Sequence, residues 1–418
     1  MKLTGLSEWH IPQSWMENKK AAEECKSPYI ADITEAAECA LHLALVNEAF
    51  IDNTNIPLIA HQTSRSAEPE TWSSLVRDCI ETWLLAATGQ YHGFGRAEMA
   101  WMIWDDAGVD ALVQKYEPGM YQAFSALPYP VEKADAFRVL VLKWFGGVVS
   151  GYCIKVSCAF KSLTSQQYAD IDSKPLTHPS TWVKASDLDD WLDEKGNKHA
   201  HYQPEILMHN ISDNIPASYT SRTGISNAET LVTKSAVNAI FGIEADNLPE
   251  PDDTYWRMGY TFPVQITNWA LAMAPHHPVA DRFLSNLTER IRADGDALSR
   301  IDPLDLTGPP ALTRTVKDYS ESTESNFSWQ SLSSINDSAP GGHAKIVAGD
   351  VLVLPITGFS PGRGRFRNMG SQPTSHPSAR LVHMAAGSWR KADLHVTYGK
   401  LCRTVFGLCR DWSKIPDP

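Results

Sequence analysis

The side chains best able to do chemistry fall at the ends of apolar runs. Met99-Ala-Trp-Met-Ile-Trp104 reads as a buried strand, and it ends in Asp105 and Asp106. Adjacent carboxylates at a strand end bind a divalent cation or polarise a hydroxyl; equally, they cap a following helix, because Asp is a preferred N-cap residue. Ile56-Pro-Leu-Ile-Ala60 is a second such run, closed by His61, Gln62 and Thr63. Taken alone, that polar end is more often loop than site. Asp135 and Arg138 stand one helical turn apart at the head of the run Val139-Leu-Val-Leu142, as a helix-face ion pair or as the lining of a crevice. Gly146-Gly147 breaks the run, and Val148-Val149 restarts it as a buried strand leading to Gly151, Tyr152 and Cys153. Cys153 and Cys158 with His383 raise the question of zinc, but the spacing fits no compact zinc motif. A cysteine of this kind is more often a small buried hydrophobe. Arg257 either clamps an anion or closes a surface ion pair, and Arg363-Gly-Arg-Phe-Arg367 is either a solvated loop or a lid over an anionic group.

The elements that must position these groups follow from periodicity. Apolar strands of four to six residues alternate with amphipathic helices: Ile33 to Phe50 with Thr34 as its cap, Trp72 to Leu85, and the helix carrying Asp135. A helix, a Gly-Gly turn and a strand ending in small residues is the layout of an α/β crevice, in which ligands sit beyond the carboxyl ends of strands. The 418 residues suffice for a large core, and the net charge of −12 argues against a nucleic-acid backbone or an anionic membrane surface as partner. The seven cysteines are odd in number and scattered, with no short disulfide framework. Met1 to His10 has no apolar signal core, and Ala40 to Val46 is too short to cross a bilayer. A soluble, cytoplasmic protein of a reducing compartment is expected on these grounds.

With these residues in place, the chain resembles glycosyltransferase family 32, and within it the fungal initiation-specific α-1,6-mannosyltransferases. The likeness runs in one order through Asp105-Asp106 (Trp-x-Asp), Ala134 to Arg138 (Ala-Asp-x-x-Arg), and the Gly-Gly-hydrophobic turn. It resumes at Tyr255-Trp-Arg257, Pro263-Val-Gln265-Ile-Thr-Asn-Trp269, Pro275-His-His-Pro278 and Thr307-Gly308-Pro309, and closes at Gly349 to Pro355 and His383-Met-Ala-Ala-Gly387-Ser388-Trp389. The resemblance implies an α/β fold of GT-A type: a Rossmann-like, mostly parallel sheet with helices on both faces and one crevice. Residues 1–52 are then an N-terminal helical extension, and residues 53–418 the glycosyltransferase-like domain. It also implies that His61, Gln62 and Thr63 approach a nucleotide, that Asp135 and Arg138 line the crevice, and that Tyr152 and Gln265 belong to the ligand site.

The chain departs from the family at the Asp-x-Asp that holds a divalent metal and the sugar diphosphate, where it reads Gly151 and Cys153. Glycine supplies no ligand, and a thiolate suits soft metals rather than magnesium or manganese. No metal is expected there. Where family members carry an aspartate, six residues past Gly308, this chain has Arg314, a fixed positive charge expected to face the crevice in place of the lost cation. A second departure is the membrane anchor of the usual Golgi members. His383, a metal or phosphate ligand in the family, becomes an imidazole available for acid–base work, with Asp105, Asp106 and Asp135 as its candidate partners. Three functions follow in this order. The first is a repurposed, metal-independent enzyme acting on a small molecule in specialised metabolism, with no cofactor. The second is a sugar transferase that uses a nucleotide sugar without Asp-x-Asp, neutralising the diphosphate with Arg257, Arg314 or Lys133. The third is a non-catalytic binding protein.

Overall fold

The computed structural model describes residues 7–17, 19–25, 30–64, 72–90, 97–150, 169–170, 173–188, 237–247, 254–335, 337, 340–363, 369–384, 394–410 and 412. Eleven strands are seen among them: β1 Glu8–His10, β2 Ile59–Ser64, β3 Ala100–Trp104, β4 Gly147–Ser150, β5 Ala169–Asp170, β6 Ser173–Pro175, β7 Ala239–Asp246, β8 Val264–Met273, β9 Lys345–Val347, β10 Val351–Leu354 and β11 Leu381–His383. Nine form one sheet in the order β1-β3-β2-β4-β8-β7-β10-β9, with β5 on β2. Strands β2, β3, β4, β7 and β10 all run in one direction, whereas β1, β5, β8 and β9 run against them. The α/β class therefore holds. The antiparallel β8, inserted between β4 and β7, brings its own amino-terminal half to the carboxyl edge of the five parallel strands.

Helices cover both faces. On one lie α1 (Ile33–Val46), α3 (Asp106–Tyr116), α4 (Pro130–Phe145), α5 (Pro278–Asp294) and α6 (Pro309–Thr323), which pack on one another and on the sheet. On the other, α2 (Ser74–Ala87) and the turn Ile356–Phe359 meet through the rings of Trp83, Trp182 and Phe359. Alternation along β2 and β3 assigns the side chains: His61 and Trp104 face α4, and Gln62 and Trp101 face away from it.

Local chemistry explains the central helix. Pro130 sits in its first turn, where a missing N–H costs nothing, and the Glu132 carboxylate accepts from Tyr129 N at 2.9 Å. Its far end stops because Gly146 (φ 62) and Gly147 (φ 97) turn the chain, and a Cβ on Gly147 would lie 2.3 Å from Ile59 O. That close approach lets β4 pair directly with β2.

Two expectations are corrected at this level, the cap of the first helix and the cysteines. The cap of α1 is Asp32, which accepts from Thr34 N at 2.8 Å and Glu35 N at 3.0 Å, and the helix ends at Val46. Residues 8–10 form an edge strand of the main sheet, and α1 packs in the common core. The scattered cysteines conceal two disulfides, Cys25–Cys39 and Cys402–Cys409, while Cys79 is buried. Their spacing gave no framework because in the first pair the partners meet through the packing of helix on helix.

The buried end of α4 carries a titration. Glu132 is fully buried, and loss of solvation, reinforced by the nearby Asp135 and Asp302 charges, pushes its carboxyl up from 4.5 to about 7 against the opposing Tyr129 hydrogen bond. Between those values the unfolded chain releases a proton that the folded chain retains. Stability therefore falls as pH rises through that window and levels off above it, by at most about 3 kcal/mol. Glu132→Gln is expected to flatten this dependence relative to wild type; parallel urea midpoints of the two proteins between pH 4.5 and 8 measure it.

Candidate functional site at the carboxyl edge of the sheet

The helix α4 presents Asp135 and Arg138 inward as a buried ion pair. A second oxygen of Asp135 accepts from Thr307 Oγ1 at 2.9 Å, and Arg138 donates to Asn268 O at 3.4 Å. One residue further along β8, the Trp269 indole stacks on the His383 imidazole with centroids 4.5 Å apart and planes 19° from parallel. Four segments far apart in sequence thus meet in one chain of contacts: the Asp-x-x-Arg helix, the Thr-Gly-Pro turn, the β8 strand and the His383 strand.

His383 is partly exposed at the end of β11, opposite Ser173 in the separate two-stranded antiparallel sheet of β6 and β11. The Ser173 hydroxyl meets that of Ser150, the last residue of β4. Gly151, Tyr152 and Cys153, which follow Ser150, lie outside the described residues. Trp269 is 2% exposed, and its Nε1–H has no hydrogen-bond partner among the described residues.

Beside this lies a second polar group. Gln265 donates to Glu244 at 2.7 Å and accepts from Thr261 N at 3.0 Å and Phe262 N at 3.3 Å, so it shapes the turn into β8. Arg363 donates to the Tyr260 hydroxyl and lies 3.8 Å from Glu244. Burial pushes the Tyr260 phenol up, only partly offset by Arg363, so it stays a neutral donor. The edge thus offers an imidazole, paired serine hydroxyls, a phenol and a guanidinium.

Other expected residues are held elsewhere. His61 is fully buried, with Nε2 donating to Gly146 O at 3.1 Å and Nδ1 accepting from Trp104 Nε1 at 3.2 Å. Burial lowers its pKa to about 3, so it is a neutral strut between β2, β3 and the Gly-Gly turn. Gln62 accepts from Trp101 Nε1 at 2.8 Å, and Thr63 donates to Trp104 O at 3.1 Å. Asp105 caps α3 by accepting from Gly108 N at 2.8 Å and also accepts from Ser7 Oγ at 2.6 Å; Asp106 is exposed in the first turn of that helix. The capping alternative describes this carboxylate pair.

The three proposed diphosphate cations stand in different surroundings. Arg314 lies beside Phe262, at the turn into β8, but donates to Asp305 at 2.9 Å, and Arg290 holds the same carboxylate. The charge reversal at this position is balanced by Asp305. Lys133 lies over the Phe124 ring, and Arg257 lies against Gly407. Sequence reasoning missed Glu244, Tyr260 and the Ser150–Ser173 pair. Only the Tyr260 motif carried any signal.

The resemblance implies a divalent metal at positions 151 and 153; glycine supplies no ligand atom and a thiol suits soft metals, and both positions lie outside the described residues. Among the described residues no group of three His, Cys, Asp or Glu side chains could hold a metal ion.

Comparison with known proteins finds relatives of the mannosyltransferase kind. The chain is 29% identical over 273 residues to the initiation-specific alpha-1,6-mannosyltransferase of Schizosaccharomyces pombe, covering 64% of this chain and 49% of that protein. It is 26% identical over 288 residues to the Candida albicans protein of the same name, covering 65% and 57% respectively. The chain is a relative of the initiation-specific alpha-1,6-mannosyltransferases. It spans about half the length of these relatives. No protein-family model matches it. Among solved structures, a PaToxG glycosyltransferase aligns over 74% of this chain and 83% of its own at 11% identity, with a TM-score of 0.30.

Proposed function

We propose that this glycosyltransferase-like protein is a working sugar transferase, of the mannosyl class its relatives are named for, whose donor is a nucleoside-diphosphate sugar held at the carboxyl edge of the sheet. The contact chain from Asp135 and Thr307 through Asn268 and Trp269 to His383 carries this reading. A crevice that had lost its ligand would have no use for so many linked motif residues. In the transfer, an acceptor hydroxyl oxygen bonds to the anomeric carbon, the bond from that carbon to the diphosphate breaks, and the hydroxyl proton leaves. His383, flat against Trp269, is the base assigned to that proton. Arg363, at the Tyr260 hydroxyl on the carboxyl edge, is the cation assigned to the departing diphosphate, since a guanidinium offers paired donors to phosphate oxygens.

A second reading, a metal-independent enzyme acting on a different small molecule, is favoured by the replacement of both metal-binding carboxylates by Gly151 and Cys153. Calorimetric titration of chelator-treated protein separates the two. Saturable binding of a GDP- or UDP-sugar without manganese supports sugar transfer, and absence of binding with or without manganese overturns it.

The cytoplasmic expectation rested largely on the cysteines. Disulfides persist in oxidising compartments, so the pairs at Cys25–Cys39 and Cys402–Cys409 favour a secretory or extracellular setting, and we propose that in its place.

A further inference from the structure

Among the described residues, six tryptophans are no more than 2% exposed. Five of them, Trp83, Trp101, Trp104, Trp182 and Trp329, donate the indole N–H to a backbone carbonyl or a side chain at 2.8–3.2 Å. The sixth, Trp269, has no acceptor for its Nε1–H among the described residues. A donor taken out of water and left without an acceptor is unfavourable, so such groups are few in a folded protein and call for a reason.

Looseness is not that reason. On one side of Trp269 the Asn268 carbonyl accepts from Arg138, and on the other Ala270 is in register with Ser150 of β4. The backbone N–H of Trp269 donates to Thr267 Oγ1 at 3.2 Å. One face of the indole is taken by His383, with centroids 4.5 Å apart and planes 19° from parallel. Strand and ring together fix the residue beside the imidazole that the transfer reading makes the base. The two rings are close enough for one sugar to meet both.

We propose that the Trp269 Nε1–H is a specificity-determining donor of this site, which binds a hydroxyl oxygen of the sugar being transferred. The inference rests on the sugar-transfer reading and adds to it a group that recognises the sugar rather than the nucleotide. An uncharged N–H suits a neutral hydroxyl, which accepts from it and donates its own proton onward. The diphosphate calls for a cation instead, and Arg363 is assigned to that. Because the donor is already out of water, a sugar lacking that hydroxyl leaves it unpaired, and a buried polar group discriminates between substrates in this way.

Calorimetry of wild type and Trp269→Phe tests it, with GDP-mannose against GDP and UDP-glucose against UDP. Phenylalanine keeps an aromatic face for His383 and removes the N–H. The variant is expected to bind the preferred nucleotide sugar about tenfold more weakly and the free nucleotide as wild type does. In wild type, one analogue of that sugar lacking a single hydroxyl should bind about tenfold more weakly than the others, an arm that stands even if the smaller ring does not fold. Equal binding of the nucleotide sugar by both proteins, as expected if a structural water takes the N–H, overturns the inference and leaves the transfer reading standing. Equal binding of all the analogues by wild type does the same. A like loss for nucleotide sugar and free nucleotide overturns it in favour of a contact to the diphosphate. Wild type that binds no nucleotide sugar overturns the transfer reading and this inference with it.

Discussion

Replacing His383 with alanine is expected to lower sugar transfer by a factor of about 10²–10⁴, the usual scale for removing a general acid or base. Because His383 is partly exposed at the end of a short strand, the melting temperature should move little. His383→Gln keeps a planar polar group of similar size and can retain part of the stack on Trp269, yet it cannot exchange a proton near neutral pH. It should therefore fail nearly as badly as alanine. A structural His383 would give the opposite pattern, with glutamine restoring the rate and alanine lowering the melting temperature first. Rates and melting curves for both variants decide between them. Of the carboxylates first considered as its partners, Asp105 caps α3, Asp106 is exposed in the first turn of that helix, and Asp135 binds Arg138 and Thr307.

Arg138→Ala is expected to destabilise the fold by about 3–5 kcal/mol, because it leaves the Asp135 carboxylate charged and buried without its cation. The loss would also release the hold of α4 on β8 through Asn268 O. Replacing both members, Asp135→Leu with Arg138→Met, removes the charges together and should recover much of the stability, since a buried ion pair and a well-packed apolar pair differ little in net free energy. The recovery would be partial, because Thr307 loses its acceptor. Urea unfolding of the single and double variants measures this directly. Equal losses in the two would show that packing, rather than an uncompensated charge, dominates at this position.

The strands and their carboxyl edge were legible because buried parallel strands read as short apolar runs punctuated by glycine, as at Val148-Val149 after Gly146-Gly147. The meeting of Asp135 with Thr307 was implied only as shared membership of a crevice. The two stand 172 positions apart in sequence, and no local pattern encodes that separation. His61 shows the opposite limit. Its place at a strand end suggested a ligand, but the Gly146 carbonyl and the Trp104 indole, both non-local, satisfy its two nitrogens and make it a core residue. Glu132 was legible in principle, since a glutamate three residues after a helix start is a capping signature. The edge strand at Glu8–His10 was not, because three residues carry too little alternation to be recognised, and only pairing with β3 defines them.

The central claim is that the carboxyl edge transfers a sugar without a metal held at positions 151 and 153. Nucleotide release from GDP- and UDP-sugars by chelator-treated protein, followed with and without added manganese, tests it most directly. The account predicts release of GDP or UDP at the same rate in both conditions, and its loss in the His383→Ala variant. Release that requires manganese, or none from any nucleotide sugar under either condition, would contradict it.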